Sequence, residues 1–249
     1  MIANERHQKI LDYLAEKKNA SVNELLDLLK ISDSTLRRDL MVLESQGKCE
    51  RVHGGVNLIR DESGADRTLD LRRNEYHKEK LEIGAKAIEL IQDGDLIYVD
   101  AGTTTEAMLS LLSDRKVSIV TNSINHAAIA AKKGLQVTLV GGRFKSLTDA
   151  IVGEEALDFL DKYTFDIAFI GTNAISKEGG LLTPDIREAA IKKKAISRSL
   201  NTFVLADSSK LDKTSKIRFG TLDQAVLICE KDPGLKQGLV LEDWQEKKE

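Results

Sequence analysis

Between residues 96 and 210, five short apolar runs each end in an abrupt turn of small, hydroxyl or amide residues, though no internal repeat is visible. Leu96-Ile97-Tyr98-Val99-Asp100 runs into Ala101-Gly102-Thr103-Thr104-Thr105, and residues 117–120 run into Thr121-Asn122-Ser123. Residues 137–140 lead to Gly141-Gly142-Arg143, residues 166–170 to Gly171-Thr172-Asn173, and residues 203–206 to Asp207-Ser208-Ser209-Lys210. Strands alternating with amphipathic helical stretches specify an α/β fold on a parallel sheet. The carboxyl ends of such strands converge on one edge, where these folds bind ligands. The Gly-Thr-Thr turn opens a helix, so backbone N–H groups, hydroxyls and the helix dipole there suit an anion. A plain Thr cap reads the same way in isolation. It is the convergence of several such turns that suggests a phosphate-bearing ligand, with a polyol to match the amides and hydroxyls.

The 249 residues allow one large or two modest domains. The best break is the charged, Gly-containing stretch RDESGADRTLDLRR at residues 60–73. The reading is therefore a winged helix-turn-helix over residues 1–58, a linker over 59–74 and an α/β domain over 75–249. Two distant cysteines, Cys49 and Cys229, with no metal-ligand spacing, exclude a disulfide framework and imply no metal. No run reaches the roughly 18 apolar residues of a membrane span, and the polar start lacks a signal-peptide core. A cytoplasmic location is expected.

In the N-terminal part, residues 4–17 carry an apolar stripe of Ile10, Leu11 and Leu14. Ser21 with Glu24 has capping-box spacing ahead of Leu25, Leu26, Leu28 and Leu29. Ser32 caps a third helix reaching about Ser45, in which Leu36, Leu40 and Leu43 must face a core. Ser34, Arg37, Arg38 and Met41 fall on another face. Two short helices joined by a tight turn suit DNA recognition. Residues 48–56 fit a β-hairpin wing, with Lys48, Arg51 and His53 available to phosphates. Ten basic against nine acidic residues through residue 60 give no charge argument. Arg37 and Arg38 also fit a solvated face paired with Asp39 or Glu44, but helix spacing, cap and wing together favour double-stranded DNA.

The run Ile31-Ser32-Asp33-Ser34-Thr35-Leu36-Arg37-Arg38-Asp39-Leu40, followed by Arg51-Val52-His53-Gly54-Gly55, resembles the DeoR family of bacterial transcription regulators. The resemblance continues through Asp100-Ala101-Gly102-Thr103-Thr104, Thr121-Asn122, Gly141-Gly142, Gly171-Thr172-Asn173 and Asp207-Ser208-Ser209-Lys210. It implies an effector domain similar in fold to ribose-5-phosphate isomerase. It places DNA contacts at Ser32, Ser34, Thr35, Arg37, Arg38, Lys48, Arg51, His53, Gly54 and Gly55. It places phosphate at Gly102, Thr103, Thr104, Thr105 and Lys210, and sugar hydroxyls at Asp100, Thr121, Asn122, Gly141, Asn173 and Glu188. Asp39 is expected to fix the arginines or the fold.

The alternative is a sugar-phosphate isomerase with an accessory DNA-binding head, which needs a positioned base and enediolate stabilisation. The related isomerases carry an acid-rich loop where this chain has Gly171-Thr172-Asn173-Ala174-Ile175. Binding groups without those carboxylates suit a sensor rather than a catalyst. The expected protein is a cofactor-free, homo-oligomeric (dimer or tetramer) operator-binding regulator of a sugar operon, modulated by a sugar phosphate. Lys192-Lys193-Lys194 reads as a solvated helix face, although Lys192 lies one turn after Glu188. His126 suits a surface or core role, Cys229 an inert strand position, and Trp244 packing or an oligomer contact.

Overall fold

The computed structural model describes residues 3–17, 19–45, 49–52, 54–58, 69–113, 115–234 and 239–240. The chain divides into two compact units, Met1–Glu62 and Ser63–Glu249. The first runs α1 (Ala3–Lys17), β1 (Asn19–Ser21), α2 (Val22–Leu29), α3 (Asp33–Ser45), β2 (Cys49–Val52) and β3 (Gly55–Leu58). Ser21 closes the expected capping box: its hydroxyl accepts the Glu24 N–H at 3.2 Å, and the Glu24 carboxylate accepts the Ser21 N–H at 2.7 Å. Ile10, Leu14, Leu25, Leu29, Leu36, Leu40 and Leu43 pack into one core with Val56 of β3. The wing has a third strand, since β1 pairs antiparallel with β3, which also pairs with β2. The Gly-Gly pair has a backbone reason. Gly54 turns with φ of +83°, and a Cβ on Gly55 would lie 2.6 Å from the Ala20 carbonyl oxygen.

The second unit opens earlier than the sequence reading places it. Residues 69–74, read as linker, form α4 (Leu69–Asn74). The Arg73 guanidinium of α4 donates to both carboxylate oxygens of Glu106, at 2.9 and 3.0 Å. A short charged helix held by an ion pair has no apolar stripe to reveal it.

Then come α5 (His77–Ile88), β4 (Leu96–Val99), α6 (Thr103–Leu111), β5 (Ser118–Thr121), α7 (Ile124–Lys132) and β6 (Gln136–Leu139). A hairpin of β7 (Arg143–Lys145) and β8 (Ala150–Val152) precedes α8 (Glu154–Leu160) and β9 (Phe165–Gly171). The chain continues through β10 (Ala174–Ile175), β11 (Gly180–Thr183), α9 (Ile186–Ser197), β12 (Ser199–Leu205), a 3₁₀ turn at Ser208–Lys210, β13 (Ile217–Thr221), β14 (Val226–Ile228) and β15 (Leu239–Val240).

Seven of these strands make a wholly parallel sheet in the order β15-β14-β12-β9-β4-β5-β6. Alternate residues of one strand enter different cores. Tyr98, Val120, Ala168, Ile170, Val204 and Leu227 belong to one, whereas Ile97, Val99, Ile119, Phe169, Phe203 and Ile228 belong to the other. A sheet buried on both faces explains why its strands read as continuous apolar runs. The small antiparallel sheet β10-β11-β13 and the β7–β8 hairpin were not anticipated. Strands of two to five residues outside the strand-to-turn series carry too little pattern.

Helices α5 and α6 meet closely at Gly84, where a Cβ would stand 2.9 Å from Met108 Cα and 3.0 Å from Met108 N. These are backbone atoms, so they yield only if the helices part. Gly84→Ala is expected to destabilise the protein by about 1–3 kcal/mol despite alanine's better helix propensity. Its denaturant midpoint should fall, and an unchanged or raised midpoint would refute the close approach.

Candidate functional site

In the N-terminal unit the Ser32 hydroxyl heads α3, lying 3.1 Å from the Ser34 hydroxyl and 2.9 Å from that of Thr35. Leu36, Leu40 and Leu43 are buried, whereas Ser34, Arg37, Arg38 and Met41 are exposed. Arg37 pairs with Asp33 at 2.6 Å, one turn back, rather than with Asp39 or Glu44. Arg38 has no partner among the described residues. Glu44 instead holds the wing, accepting from the Arg51 guanidinium at 2.7 Å and from its backbone N–H at 3.0 Å. Lys48 and His53 lie outside the described residues, as does Trp244.

Asp39 is buried and serves the fold. It accepts from Arg6 at 2.7 and 3.0 Å and lies 3.0 Å from His7 Nε2, tying α3 to α1. Burial pushes its carboxyl up, but the hydrogen bonds from Arg6 and His7 outweigh this and hold it below the ordinary value.

In the second unit the sheet order reverses beside β4. After β4 the chain moves outward through β5 and β6, then returns to add β9 on the opposite side. The crevice at the carboxyl ends of β4 and β9 is therefore a topological switch point, the ligand position of open α/β sheets. Asp100 stands there, wholly buried, and pairs with Lys192 of α9. The same carboxylate accepts the Gly171 N–H at 3.0 Å, and the Lys192 ammonium also donates to the Gly171 carbonyl at 3.0 Å. Burial raises the Asp100 carboxyl, with Lys192 and the Gly171 N–H opposing. Lys192 is thus no solvated residue. Its i+4 spacing from Glu188 was the available signal, while Lys193 is exposed and Lys194 pairs with Asp161 at 2.8 Å.

The turn into α6 is braced from below. The Thr105 hydroxyl donates to the Asp100 and Gly102 carbonyls at 2.7 and 2.9 Å. Asn122 accepts the Ala101 N–H at 2.9 Å and donates to the Ile151 carbonyl at 3.3 Å, while Thr121 donates to the Val99 carbonyl at 2.7 Å. His126, buried on α7, meets the Gly102 carbonyl at 3.1 Å. A carbonyl can only accept, so Nε2 carries the proton. Burial lowers the imidazole to about 4, so it is neutral at neutral pH. Gly102 is extended and offers no side-chain cap, which leaves the N–H groups of Thr103, Thr104 and Thr105 leading the helix. Several expected sugar ligands therefore spend their polar atoms in shaping the turn.

The remaining positions lie on neighbouring strand ends. Asn173, after β9, accepts from the Thr183 hydroxyl at 3.0 Å. Gly141 is exposed after β6. Glu188 is buried at the start of α9, accepts from Lys145 at 2.9 Å and is hydrogen-bonded by Thr148 of the β7–β8 hairpin. Lys210, after β12, donates to the Ser209 hydroxyl at 3.2 Å and stands 3.8 Å from buried Asp207. The field of Asp207 and Lys210 reaches Lys80 of α5, whose ammonium donates to the Arg72 and Glu75 carbonyls and is lowered to about 8 by burial. Sequence reasoning missed Lys80, Lys145 and Thr148, none of which lies in a patterned motif. Cys229 is buried, and desolvation pushes its thiol up to about 12, so it is inert.

A three-helix unit with a wing and an exposed arginine pair, joined to a parallel-sheet unit with an open helix N-terminus at its switch point, has the build of a DNA-binding regulator with its own sensor. The comparisons agree. Residues 6–62 match the model of the DeoR-like helix-turn-helix domain, and residues 75–231 that of the DeoR C terminal sensor domain. The chain belongs to the DeoR family. It is 38% identical to the HTH-type transcriptional regulator FruR of Bacillus subtilis (strain 168), over 99% of this chain and 97% of that one. It is 34% identical to the lactose phosphotransferase system repressor of Lactococcus lactis subsp. lactis, over 84% and 83% of the two chains. The glycerol-3-phosphate regulon repressor of Escherichia coli (strain K12) is 31% identical, over 89% and 88%. The ribose 5-phosphate isomerase A of Methanocaldococcus jannaschii overlaps 55% of each chain, with a TM-score of 0.41 and 20% identity. The protein is a DNA-binding transcription regulator, and the isomerase alternative falls with that assignment. No helix among the described residues is long and apolar enough to cross a membrane.

Two outcomes follow from the buried carboxylates. Lys192→Ala leaves Asp100 without its counter-charge and is expected to cost about 3–5 kcal/mol, most of it recovered in the Asp100→Asn/Lys192→Met double variant. Chemical denaturation reads both, and equal losses in the two variants would contradict the pairing. Asp39 titrates lower in the folded state than in the unfolded, so its contribution is full above the ordinary carboxylate value near 4 and lost as pH falls through the folded value. Calorimetry of Asp39→Asn should show a lower melting temperature at neutral pH and a shallower acid limb; an unchanged acid limb would refute the assignment.

Proposed function

We propose that the protein is a homo-oligomeric repressor of a sugar catabolic or uptake operon, with α3 in the major groove of operator DNA and a phosphorylated sugar as its effector. The observation that carries the effector reading is the uncapped N-terminus of α6 at the β4/β9 switch point. Three N–H groups converge there in a turn braced by Thr105, Asn122 and His126. The phosphate sits on residues 103–105, with Lys210 as its cation and Asn173 and Glu188 on the sugar side. Arg51 of the wing, with Gly54 and Gly55 at its turn, meets the DNA backbone, as do Lys48 and His53 of the same sequence segment. Among its relatives, a lactose phosphotransferase system repressor and a glycerol-3-phosphate regulon repressor support the same chemistry. Fructose 1-phosphate is the first effector to test, followed by tagatose 6-phosphate and deoxyribose phosphates.

Regulation needs the effector to bind the DNA-competent and DNA-incompetent forms with different affinity. Arg73 of α4 pairs with Glu106, which lies in the first turn of α6 and also accepts from Asn125 at 2.9 Å. This pair connects the anion turn to the helix that opens the sensor unit.

Thr103→Pro tests the cradle. Proline is tolerated at the first helical position, and the extended Gly102 before it accepts a following proline. The variant loses one N–H donor and should bind the sugar phosphate about tenfold or more weakly by calorimetry, since a hydrogen bond to a charged group contributes about 1.5–3 kcal/mol. Its DNA affinity without effector should be unchanged. Undiminished effector affinity would remove the cradle from the account. Arg37→Ala and Arg38→Ala should each weaken operator binding by about 1–3 kcal/mol at fixed salt. Unchanged affinity in both would show that α3 does not read the DNA.

A further inference from the structure

We infer that Met41 contacts the C5-methyl group of a thymine in each operator half-site and so helps to set which sequence the protein selects. The inference rests on the placement of α3 in the major groove given above.

Ser34, Arg37, Arg38 and Met41 are exposed at i, i+3, i+4 and i+7, the spacing by which the third helix of a homeodomain reads bases. At 100° per residue Met41 falls within about 20° of Ser34 and roughly opposite Leu43. It is therefore at the centre of the polar face, flanked by two guanidiniums. Val42, also exposed, falls about 100° away from Met41 at the rim. Met41 is 56% exposed, while Leu36, Leu40 and Leu43 of the same helix are at most 2% exposed. Single exposed apolar side chains are ordinary on protein surfaces. An unbranched thioether between two arginines on a DNA-facing helix has a specific complement.

In the major groove only thymine presents an apolar group, whereas guanine offers the two acceptors that suit arginine. Arg38, without an intramolecular partner among the described residues, and Arg37, whose side chain pairs with exposed Asp33, are suited to guanine. Met41, one turn further along, reaches a neighbouring base pair, and its flexible side chain adapts to a methyl group. The expected half-site therefore sets a thymine beside the guanines read by the arginines.

The test uses the full-length protein and duplexes carrying its operator, located by footprinting upstream of its own gene. Each thymine is replaced in turn by deoxyuridine, which removes the methyl group and leaves base pairing intact. Wild type should lose affinity about fourfold at one thymine per half-site, the value of one buried methyl group. Met41→Ala should bind the natural operator more weakly by a similar factor and no longer distinguish thymine from deoxyuridine there. Met41→Leu, which keeps the apolar bulk, should retain the discrimination. The inference is overturned if no thymine is methyl-sensitive with wild type, or if Met41→Ala shows the same sensitivity. If Arg37→Ala and Arg38→Ala weaken binding while methyl removal has no effect, only the Met41 contact is lost. Should both arginine variants bind normally, the groove placement fails with it. A changed oligomeric state in Met41→Ala, with no methyl effect, would assign the side chain to a contact between copies and equally overturn the inference.

Discussion

Asp100 and Lys192 form an ion pair inside the second unit, and the geometry of its ligand edge depends on it. Two buried charges gain little net stability over an apolar replacement, because desolvation offsets most of their attraction. What the pair supplies is placement. It joins the end of β4 to the end of β9 through both the N–H and the carbonyl of Gly171, and brings α9 over the same crevice. These two strands are where the sheet order reverses. The floor of the switch point is therefore fixed before any ligand arrives, and the Thr105, Asn122 and His126 contacts fix its wall. A cradle of backbone N–H groups discriminates by position, so rigidity beneath it matters more than the count of donors.

The first unit uses the same device on a smaller scale. Asp39 comes from the inner face of α3 and is held by Arg6 and His7 from a helix more than 30 residues earlier. In a unit of about 60 residues the apolar core is small, and a buried carboxylate with several donors sets the angle at which α3 presents its outer face. Glu44 does the equivalent for the wing by holding Arg51 in two ways. Arg51 is thus already committed to Glu44, whereas Arg38 has no partner among the described residues.

Much of this was legible in the sequence, for identifiable reasons. The capping box at Ser21 and Glu24, the apolar stripe of α3 and the five strand-to-turn transitions are local patterns, and local patterns determine local structure. The turn residues were legible as a set but not in their roles. Thr121 and Asn122 look like ligand groups, yet their polar atoms hold backbone from strands and turns that sequence does not place beside them, and the Thr105 hydroxyl bonds back into its own turn. Lys192 illustrates the converse, since a triple-lysine run reads as solvated until α9 is laid across the sheet. The β7–β8 hairpin was invisible because three-residue strands carry no periodicity, so Lys145 and Thr148 were found only with the fold. Helix α4 was hidden for another reason: an ion pair holds it, and charge reads as linker.

As proposed above, one chain carries both a sugar-phosphate site and an operator-binding site, and the two are linked. Linkage is reciprocal: whatever factor the effector applies to DNA affinity, the DNA must apply to effector affinity. The direct measurement is the affinity of the full-length protein for a sugar phosphate, by calorimetry at fixed salt, with and without saturating operator duplex. The account predicts a change of several-fold or more, equal to the factor by which the same sugar phosphate shifts operator affinity and absent for the unphosphorylated sugar. Identical effector affinities in the two conditions would contradict it.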